Sequence, residues 1–337
     1  MAEKLPKKGD PGTIYVIDIS SYVFRAYHAL PPLSNSKGEP THAVAGVCSM
    51  LLKLLREHEP HTVVVAMDSK KRSFRKDLFE AYKANRPPVP ADLQQQMVRV
   101  GQVVEAWGMS PIEVPGFEAD DVIATLVGQA RDRGLRVVIV SADKDLLQLV
   151  GPDVAEETRE KLGVAPGQVR DLLALMGDSS DNVPGVPSVG QKTAAKLLDE
   201  FGSFDGIYEN IESITRKALK AKLTEHREGA LTSRELVTLR ADLAIDSDAV
   251  SRPFTGGNTN ALRAIFSELE LTRLLAQLAS TSQDESAPVV EGHYDTITTA
   301  ESLSRVASAI RETGDFALYS VMDIDDPIRA EQTQGPS

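Results

Sequence analysis

Carboxylates stand just past the end of each short apolar, β-branched run in this sequence, and that placement restricts what the chain can fold into. Thr13-Ile-Tyr-Val-Ile17 is followed by Asp18, and Thr62-Val-Val-Val-Ala-Met67 by Asp68. Ser110-Pro-Ile-Glu-Val114 leads to Glu118, Asp120 and Asp121, and Arg136-Val-Val-Ile-Val140 leads to Asp143 and Asp145. In an open parallel sheet, ligands bind beyond the carboxyl ends of the strands, so these segments aim acidic groups at one rim. Asp178 and Asp181 follow within Met176-Gly-Asp-Ser-Ser-Asp-Asn182. Two unit charges about 4 Å apart repel by roughly 4 kcal/mol at an effective dielectric of about 20. A cluster of this kind is tolerable if some carboxyls keep their protons or if hard cations such as Mg²⁺ or Mn²⁺ sit among them.

Between the runs lie segments with apolar residues at helical spacing: Ala43 to Glu57, Ala91 to Trp107 and Glu118 to Arg133. Thr41 and Asp92 suit helix starts and Gly134 a helix stop. The alternation predicts an α/β domain over 13–165 with a mostly parallel sheet flanked by helices. After Pro166 the strand signals vanish. Helical patterns at Gln168–Met176, Gln191–Phe201, Thr215–His226, Gly229–Leu239 and Thr259–Leu278 predict an all-α domain over 166–280. Residues 1–12 read as a polar tail and 281–290 as a linker. A helical pattern at Ala300–Arg311 and a strand-like run at Phe316–Val321 suggest the opening of a further domain over 291–337, too short for a core of its own.

The net charge of −12 is a weak guide to partners, because metal-binding carboxylates count against it and basic patches act locally. One cysteine, Cys48, in the apolar run Val44 to Leu55, reads as a core residue, permits no internal disulfide and supplies no cysteine metal cluster. The six histidines form no His-x-His or His-x-x-x-His pair, against zinc chemistry. No run approaches the roughly 18 apolar residues that cross a membrane, and the N-terminus lacks a signal peptide's apolar core. The expectation is a cytoplasmic monomer that does not engage membranes.

Lys70 to Arg86 holds seven basic residues against two acidic ones. Read as a helix, it puts Arg72, Lys76, Phe79, Lys83 and Arg86 on one stripe, and Phe74, Leu78 and Tyr82 on a second. A solvated amphipathic helix would look the same, but this segment follows Asp68 directly. A cationic, aromatic element beside an acidic rim can hold phosphates and stack a base. Arg25, shortly after Asp18, is a second candidate phosphate contact. Further on, Gly185 and Gly190 precede a helix carrying Lys192 and Lys196 on one face, so its N-terminus can meet an anion, although a plain helical turn shows the same pattern. No Walker loop is present.

Taken together, Val16-Ile-Asp-Ile-Ser20, Arg25-Ala-Tyr-His-Ala-Leu30, Ser73-Phe-Arg75, Tyr82-Lys-Ala-Asn-Arg86, Val114-Pro-Gly-Phe-Glu-Ala-Asp-Asp-Val122, Ser141-Ala-Asp-Lys-Asp-Leu-Leu-Gln-Leu149 and Leu175-Met-Gly-Asp-Ser-Ser-Asp-Asn-Val-Pro-Gly-Val186 resemble the 5′-nuclease family. The likeness is to the branch formed by the N-terminal 5′→3′ exonuclease regions of bacterial DNA polymerases I, with flap endonucleases as wider relatives. It spans about Thr13 to Ala279, with the motifs in family order. The resemblance implies a PIN/5′-nuclease-like fold with a helical arch at about 70–90, then a helix–three-turn–helix at 183–200. It further implies a two-metal phosphodiester hydrolase using two or more Mg²⁺ or Mn²⁺ ions.

By the same resemblance Asp18, Asp68, Glu118, Asp120, Asp121, Asp143, Asp145, Asp178 and Asp181 are the metal set. Lys83 and Arg86 grip the scissile phosphate, with Tyr82 beside them, and act in catalysis with Asp18, Asp68 and Asp121. Arg25, Arg72, Lys76, Gly185, Gly190, Lys192 and Lys196 join the DNA contacts, and a potassium ion sits on backbone carbonyls of the three-turn element. The implied substrates are DNA with duplex/5′ single-strand junctions and RNA primer–DNA hybrids.

Three departures from the family pattern stand out. The chain is about ten residues shorter between Val150 and Lys161, where a strand-turn-strand segment is missing. Ser188 and Gln191 stand where relatives commonly carry Gly and Glu. Finally, Phe316–Val321 resembles the first strand of a 3′→5′ proofreading domain, but Tyr319 and Val321 replace its Asp and Glu, and no polymerase domain follows. The shortened segment motivates an alternative, a DNA-binding module without catalysis. A related metal-dependent ribonuclease is a further one, against which the helical second domain argues.

Overall fold

Four short strands, β1 (Thr13–Asp18), β2 (Thr62–Ala66), β3 (Pro111–Ile112) and β4 (Arg136–Val140), run parallel in the order β3-β2-β1-β4. This is a computed structural model, and it describes residues 6–109, 111–151 and 155–281 together with Thr299, Ser304 and Ser308. β1 and β2 are buried along their whole length, which is why they read as unbroken Val/Ile runs rather than alternating ones. In register, Val16 sits opposite Val64 on one side and Ile139 on the other. The expected third strand shrinks to Pro111–Ile112 at the sheet edge, where a proline can lie because no ladder donor is required of it.

The alternation of side chains divides the core by face. Tyr15, Ile17, Val63 and Val65 pack beneath α1 (Ile19–Ala29), α2 (His42–His58) and α4 (Ala91–Ala106). Ile14, Val16, Val64 and Ala66 pack against α5 (Ala119–Asp132) through Val122, Ile123 and Leu126. Gly134, at φ 71, ends the α5 region as its position suggested. The described part of the N-terminal tail is tied down, with Gly9 N–H donating to the His58 carbonyl at 2.9 Å.

Helices α6 (Ala155–Leu162), α7 (Val169–Met176), α8 (Gln191–Phe201), α9 (Phe204–Glu209), α10 (Lys217–Glu225) and α11 (Arg227–Val237) share a second core that includes Leu172, Leu198, Phe204 and Leu236. Two expectations change here. The single helix expected over Thr259–Leu278 is a pair, α12 (Thr259–Glu268) and α13 (Thr272–Thr281), broken where Glu270 turns to φ 57. That pair also packs away from α6 to α11. Leu262, Phe266, Leu274 and Leu278 join the first core, with the Phe266 and Trp107 rings 6.0 Å apart. The described chain up to residue 281 therefore belongs to one compact unit. Ser110, residues 152–154 of the shortened segment and, apart from Thr299, Ser304 and Ser308, the expected elements beyond Thr281, including Tyr319 and Val321, lie outside the described residues.

The basic segment 70–86 departs most from expectation. It contains one short helix, α3 (Arg75–Leu78), followed by turns, and not a continuous helical arch. Its second half is stapled to the 178–182 loop: Lys83 N–H donates to the Asp181 carbonyl at 2.9 Å, Asn85 Nδ2 to the Ser179 carbonyl at 2.6 Å and Asn182 Nδ2 to the Ala81 carbonyl at 2.7 Å. Lys83 takes φ 54 to make the bend. The two helical stripes consequently do not exist as faces.

Candidate active site

Asp18 is the last residue of β1 and also the N-cap of α1, accepting from Ser21 N–H at 3.0 Å and from the Ser141 hydroxyl at 2.7 Å. The bland reading of such a residue as a cap and the chemical reading both hold, because one oxygen caps while the side chain stays on the rim. Asp68, just past β2, accepts from Ala119 N–H at the start of α5 at 3.0 Å. Glu118 is the N-cap of α5. Asp143, after β4, accepts from Asp145 N–H at 2.8 Å. Asp18, Asp68, Glu118, Asp120 and Asp143 line one cavity of about 260 Å³, with Lys83 and Arg86 in its wall. Segments distant in sequence thus meet at the carboxyl ends of the strands, as the sequence pattern predicts.

The electrostatics of this cavity match its composition. Burial pushes the Asp120 carboxyl well above the ordinary range, and the charges of Asp143, Asp18 and Asp68 add to the shift. Asp18 is also raised, by burial first, against its two hydrogen bonds and with Asp68 and Asp143 contributing.

A smaller pocket beside it is lined by Glu118, Asp120, Asp145 and Asp181, with Arg75 and Tyr82. Burial, then Asp143 and Asp178, raise the Asp145 carboxyl to about 7, and its Oδ1 is buried without a hydrogen-bond partner. Asp178 lies next to this group. Burial acts to raise it, but the Ser180 hydroxyl and N–H and the Lys144 ammonium, 3.1 Å away, hold it below the usual carboxylate range. Lys83 Nζ lies 2.8 Å from Glu118 and 3.5 Å from Asp181, and Arg86 pairs with Asp181.

Four of the expected site residues are placed differently. Asp121 is fully buried: its carboxylate receives the Arg75 guanidinium at 2.6 and 2.7 Å, Arg240 N–H at 2.9 Å and Glu118 N–H at 3.1 Å. Its lone pairs are taken, so it anchors α5 and does not offer itself to a metal. Three-residue spacing from Glu118 signalled a shared face, but here it is the spacing of a capping box. Tyr82 is 3% exposed, with its hydroxyl 3.0 Å from Glu118 and 3.1 Å from Asp181, and so cannot stack a base. Arg72 is held by Asp77 and Glu80. Gly185 is buried, and its N–H donates to the Ser233 hydroxyl at 3.0 Å, which removes it as a phosphate donor.

Arg25 is exposed, Lys76 is half-buried, and Gly190 caps α8 with Lys192 and Lys196 exposed on it. Both departures in the turn find local partners. Ser188 adopts φ 66, a conformation that favours glycine, and its hydroxyl receives Lys222 Nζ at 2.5 Å. Gln191 Nε2 reaches the carbonyls of Lys161 and Leu162, each at 3.1 Å, tying α8 to the end of α6. A glutamate could not donate those bonds.

Sequence reasoning missed several contributors, Arg75, Phe24 and Ser20 among them. Arg75 is the buried partner of Asp121, and a cation inside an exposed-looking basic run carries no mark of burial. Phe24, 38% exposed, and Ser20 line the carboxylate cavity. Their position three turns or less after a strand-end Asp was the available signal.

The residues suit a hard divalent cation. The first cavity offers oxygen donors alone, and the orphaned Asp145 oxygen is a buried acceptor in need of a positive partner. Among the described residues no group of three acidic, histidine or cysteine side chains is gathered closely enough to cage an ion unaided.

Comparison with known proteins bears on these motifs. The model of the 5′-3′ exonuclease N-terminal resolvase-like domain matches residues 13–170, and that of the 5′-3′ exonuclease C-terminal SAM fold matches residues 164–260. A 5′-3′ exonuclease of Aquifex aeolicus (strain VF5) is 38% identical over 278 residues, covering 79% of this chain and 95% of that protein. The chain belongs to the 5′-3′ exonuclease family. Within this family it is also similar to DNA polymerase I of Bacillus subtilis (strain 168), 37% identical over 323 residues, or 90% of this chain and 37% of that one. DNA polymerase I of Bacillus caldotenax is 37% identical over 294 residues, 82% of this chain and 34% of that one. The exonuclease-family chain thus spans about a third of the length of the polymerases that it matches.

Two solved structures share the fold. The bacteriophage T5 flap endonuclease, in a pseudo-enzyme-product complex with DNA and metal ions, superposes with a TM-score of 0.56 at 19% identity, covering 80% of this chain and 99% of that one. The catalytic core of Rad2 in complex with DNA substrate gives 0.55 at 16% identity, covering 82% and 94%. Among the described residues no helix is long and apolar enough to cross a membrane.

Proposed function

We propose that this chain is a Mg²⁺- or Mn²⁺-dependent 5′→3′ exonuclease and flap endonuclease that cleaves DNA near duplex/5′ single-strand junctions, with RNA primer–DNA hybrids among its substrates. The observation that carries this reading is the meeting of Asp18, Asp68, Glu118, Asp120 and Asp143 in one cavity walled by Lys83 and Arg86. Asp18, Asp68, Asp120 and Asp143 would hold one ion, and Asp145, Asp178 and Asp181 would serve a second. Divalent ions bound there would activate water and offset charge on the phosphate and the leaving oxygen.

The chain's own residues supply the rest. Lys83 and Arg86 meet the scissile phosphate and offset the charge that develops on it. Glu118 and Tyr82 set the position of the lysine, through a 2.8 Å pair and a shared carboxylate. Gly190, Lys192 and Lys196 hold the duplex backbone, and carbonyls of the 183–190 turn are the hard oxygen donors a potassium ion takes.

The test is a labelled 5′ flap substrate titrated with Mg²⁺, beside nicked and single-stranded DNA and an all-RNA strand. Short products that vanish with EDTA, and in a variant carrying both Asp143→Asn and Asp145→Asn that still binds duplex, are expected. Binding with no product from the unaltered chain would support a DNA-binding module instead. Cleavage confined to the RNA strand would support the ribonuclease.

A further inference from the structure

Helix α11 touches both halves of the proposed machinery, and each joint is a specific buried hydrogen bond. At its C-terminal end the Arg75 guanidinium, 2% exposed, donates Nε to the Leu236 carbonyl at 2.7 Å and Nη2 to the Thr238 carbonyl at 3.2 Å. The same guanidinium grips Asp121 on α5 and lies 3.7 Å from Glu118. Asp121 in turn receives Arg240 N–H, just beyond α11, at 2.9 Å. One turn earlier on α11, the fully buried Ser233 hydroxyl accepts Gly185 N–H at 3.0 Å and donates to the Gly229 carbonyl at 2.9 Å.

Gly185 packs so closely against the end of α7 that no other residue fits there. It sits at φ 61, and a Cβ there would lie 2.3 Å from Gly177 N. The 183–190 turn is thereby fixed to α11 through Ser233, while the carboxylate-bearing start of α5 is fixed to α11 through Arg75. Leu236 and Ser233 are three residues apart, about 4.5 Å along a helix axis. Because α11 is a rigid rod, its two joints hold the element proposed to grip duplex at a set distance from the cavity proposed to cut.

We infer that Arg75 and Ser233 are positioning residues that determine the cleavage register, the number of nucleotides between the duplex contact and the hydrolysed bond. The inference rests on the proposed nuclease reading and adds a specificity function to two residues outside the set proposed to hold metal or phosphate. Loosening either joint removes one of the bonds that set the duplex grip against the cavity and leaves the rest to the Asp178–Val183 backbone pair and the Lys83–Asp181 tie. A shift of about 1 Å at a reacting centre costs on the order of 100-fold in rate, so cleavage at the parental bond slows until cutting at neighbouring bonds competes with it.

The test compares Arg75→Lys and Ser233→Ala with the unaltered full chain on a 5′ flap of fixed sequence, reading product lengths at single-nucleotide resolution. Mn²⁺ binding, duplex binding and the unfolding midpoint are measured on the same samples. The expected result is one dominant product from the unaltered chain and a spread over neighbouring positions from each variant, with Mn²⁺ and duplex affinities retained. Arg75→Lys keeps the charge beside Asp121 but loses the forked bonds, and Ser233→Ala leaves the carboxylate cavity untouched. A folded Ser233→Ala protein that cuts at the parental position alone overturns the inference, whatever Arg75→Lys does. Absence of any cleavage by the unaltered chain instead overturns the nuclease reading on which it rests.

Discussion

The Arg75 guanidinium and the Asp121 carboxylate form two parallel hydrogen bonds, 2.6 and 2.7 Å long, with both side chains essentially out of water. An ion pair in such a place contributes little net stability over an apolar pair of the same shape, yet removing one partner alone leaves an uncompensated buried charge. Asp121→Asn and Arg75→Met are each expected to lower unfolding stability by about 3 kcal/mol. The double variant, Asp121→Asn with Arg75→Met, should lose less than the sum of the two single changes. Urea denaturation followed by circular dichroism measures all three. A fully stable Asp121→Asn protein that has lost metal binding would return Asp121 to the metal set.

Asp145 makes an opposite prediction, because its carboxylate is costly to the fold. Burial, with the charges of Asp143 and Asp178, pushes its carboxyl up to about 7 from the ordinary value of 3.8, so the folded chain binds a proton more tightly than the unfolded chain. The stabilisation this confers is complete at low pH and is lost as pH rises from about 4 through about 7. In EDTA the unaltered chain should therefore melt at a lower temperature at pH 8 than at pH 6. Asp145→Asn should flatten that dependence and gain on the order of 1 kcal/mol at pH 8. Adding Mg²⁺ at pH 8 should stabilise the unaltered chain and do so less for the variant. Scanning fluorimetry across pH and Mg²⁺ reads each of these; a variant with the same pH slope as its parent would remove Asp145 as the strained group.

The acidic rim was legible because strand ends are marked twice, by the β-branched run and by the polar residue that stops it. Asp18 and Asp68 carry that double mark directly, Glu118, Asp120 and Asp143 follow their strands after short connections, and all five line one cavity. The parallel sheet followed from the same runs. What could not be read was which charges are spent internally. Asp120 and Asp121 are adjacent and chemically alike, but one faces the cavity while the other is turned inward to Arg75. That choice depends on a cation 46 residues away in sequence, and local pattern carries no trace of it. The arch was misread for a related reason. Its basic residues fit helical stripes, but Lys83, Asn85 and Asn182 make tertiary hydrogen bonds that hold it in turns, and tertiary bonding overrides a weak helical preference. In α12 and α13, the pattern gave the helices but not the core they join.

Phe24 is an exposed aromatic ring in the wall of the carboxylate cavity. An aromatic face beside a phosphate site is suited to stacking an unpaired base, which contributes about 1–3 kcal/mol per base. Phe24→Ala should raise KM for a flap substrate about 10-fold, and Phe24→Tyr should restore it. Mn²⁺ affinity should stay unchanged in both, since the ring supplies no ligand. Steady-state kinetics and a metal titration distinguish this from a structural defect, which would move both readouts together.

Lys192 and Lys196 extend from a helix whose first turn carries no acidic residue, and both are exposed. Cations of this kind contribute to duplex affinity by releasing counterions, a gain that does not depend on sequence and fades with salt. Lys192→Ala and Lys196→Ala should each weaken duplex binding for every sequence alike and reduce the slope of log K against log salt by about 1. The catalytic rate on saturating substrate should hold, because neither side chain lines the carboxylate cavity. Fluorescence anisotropy at several salt concentrations measures the slope. If the duplex lies elsewhere, both variants will keep the parental slope, and the exposed face of α8 will have to be given up as its track.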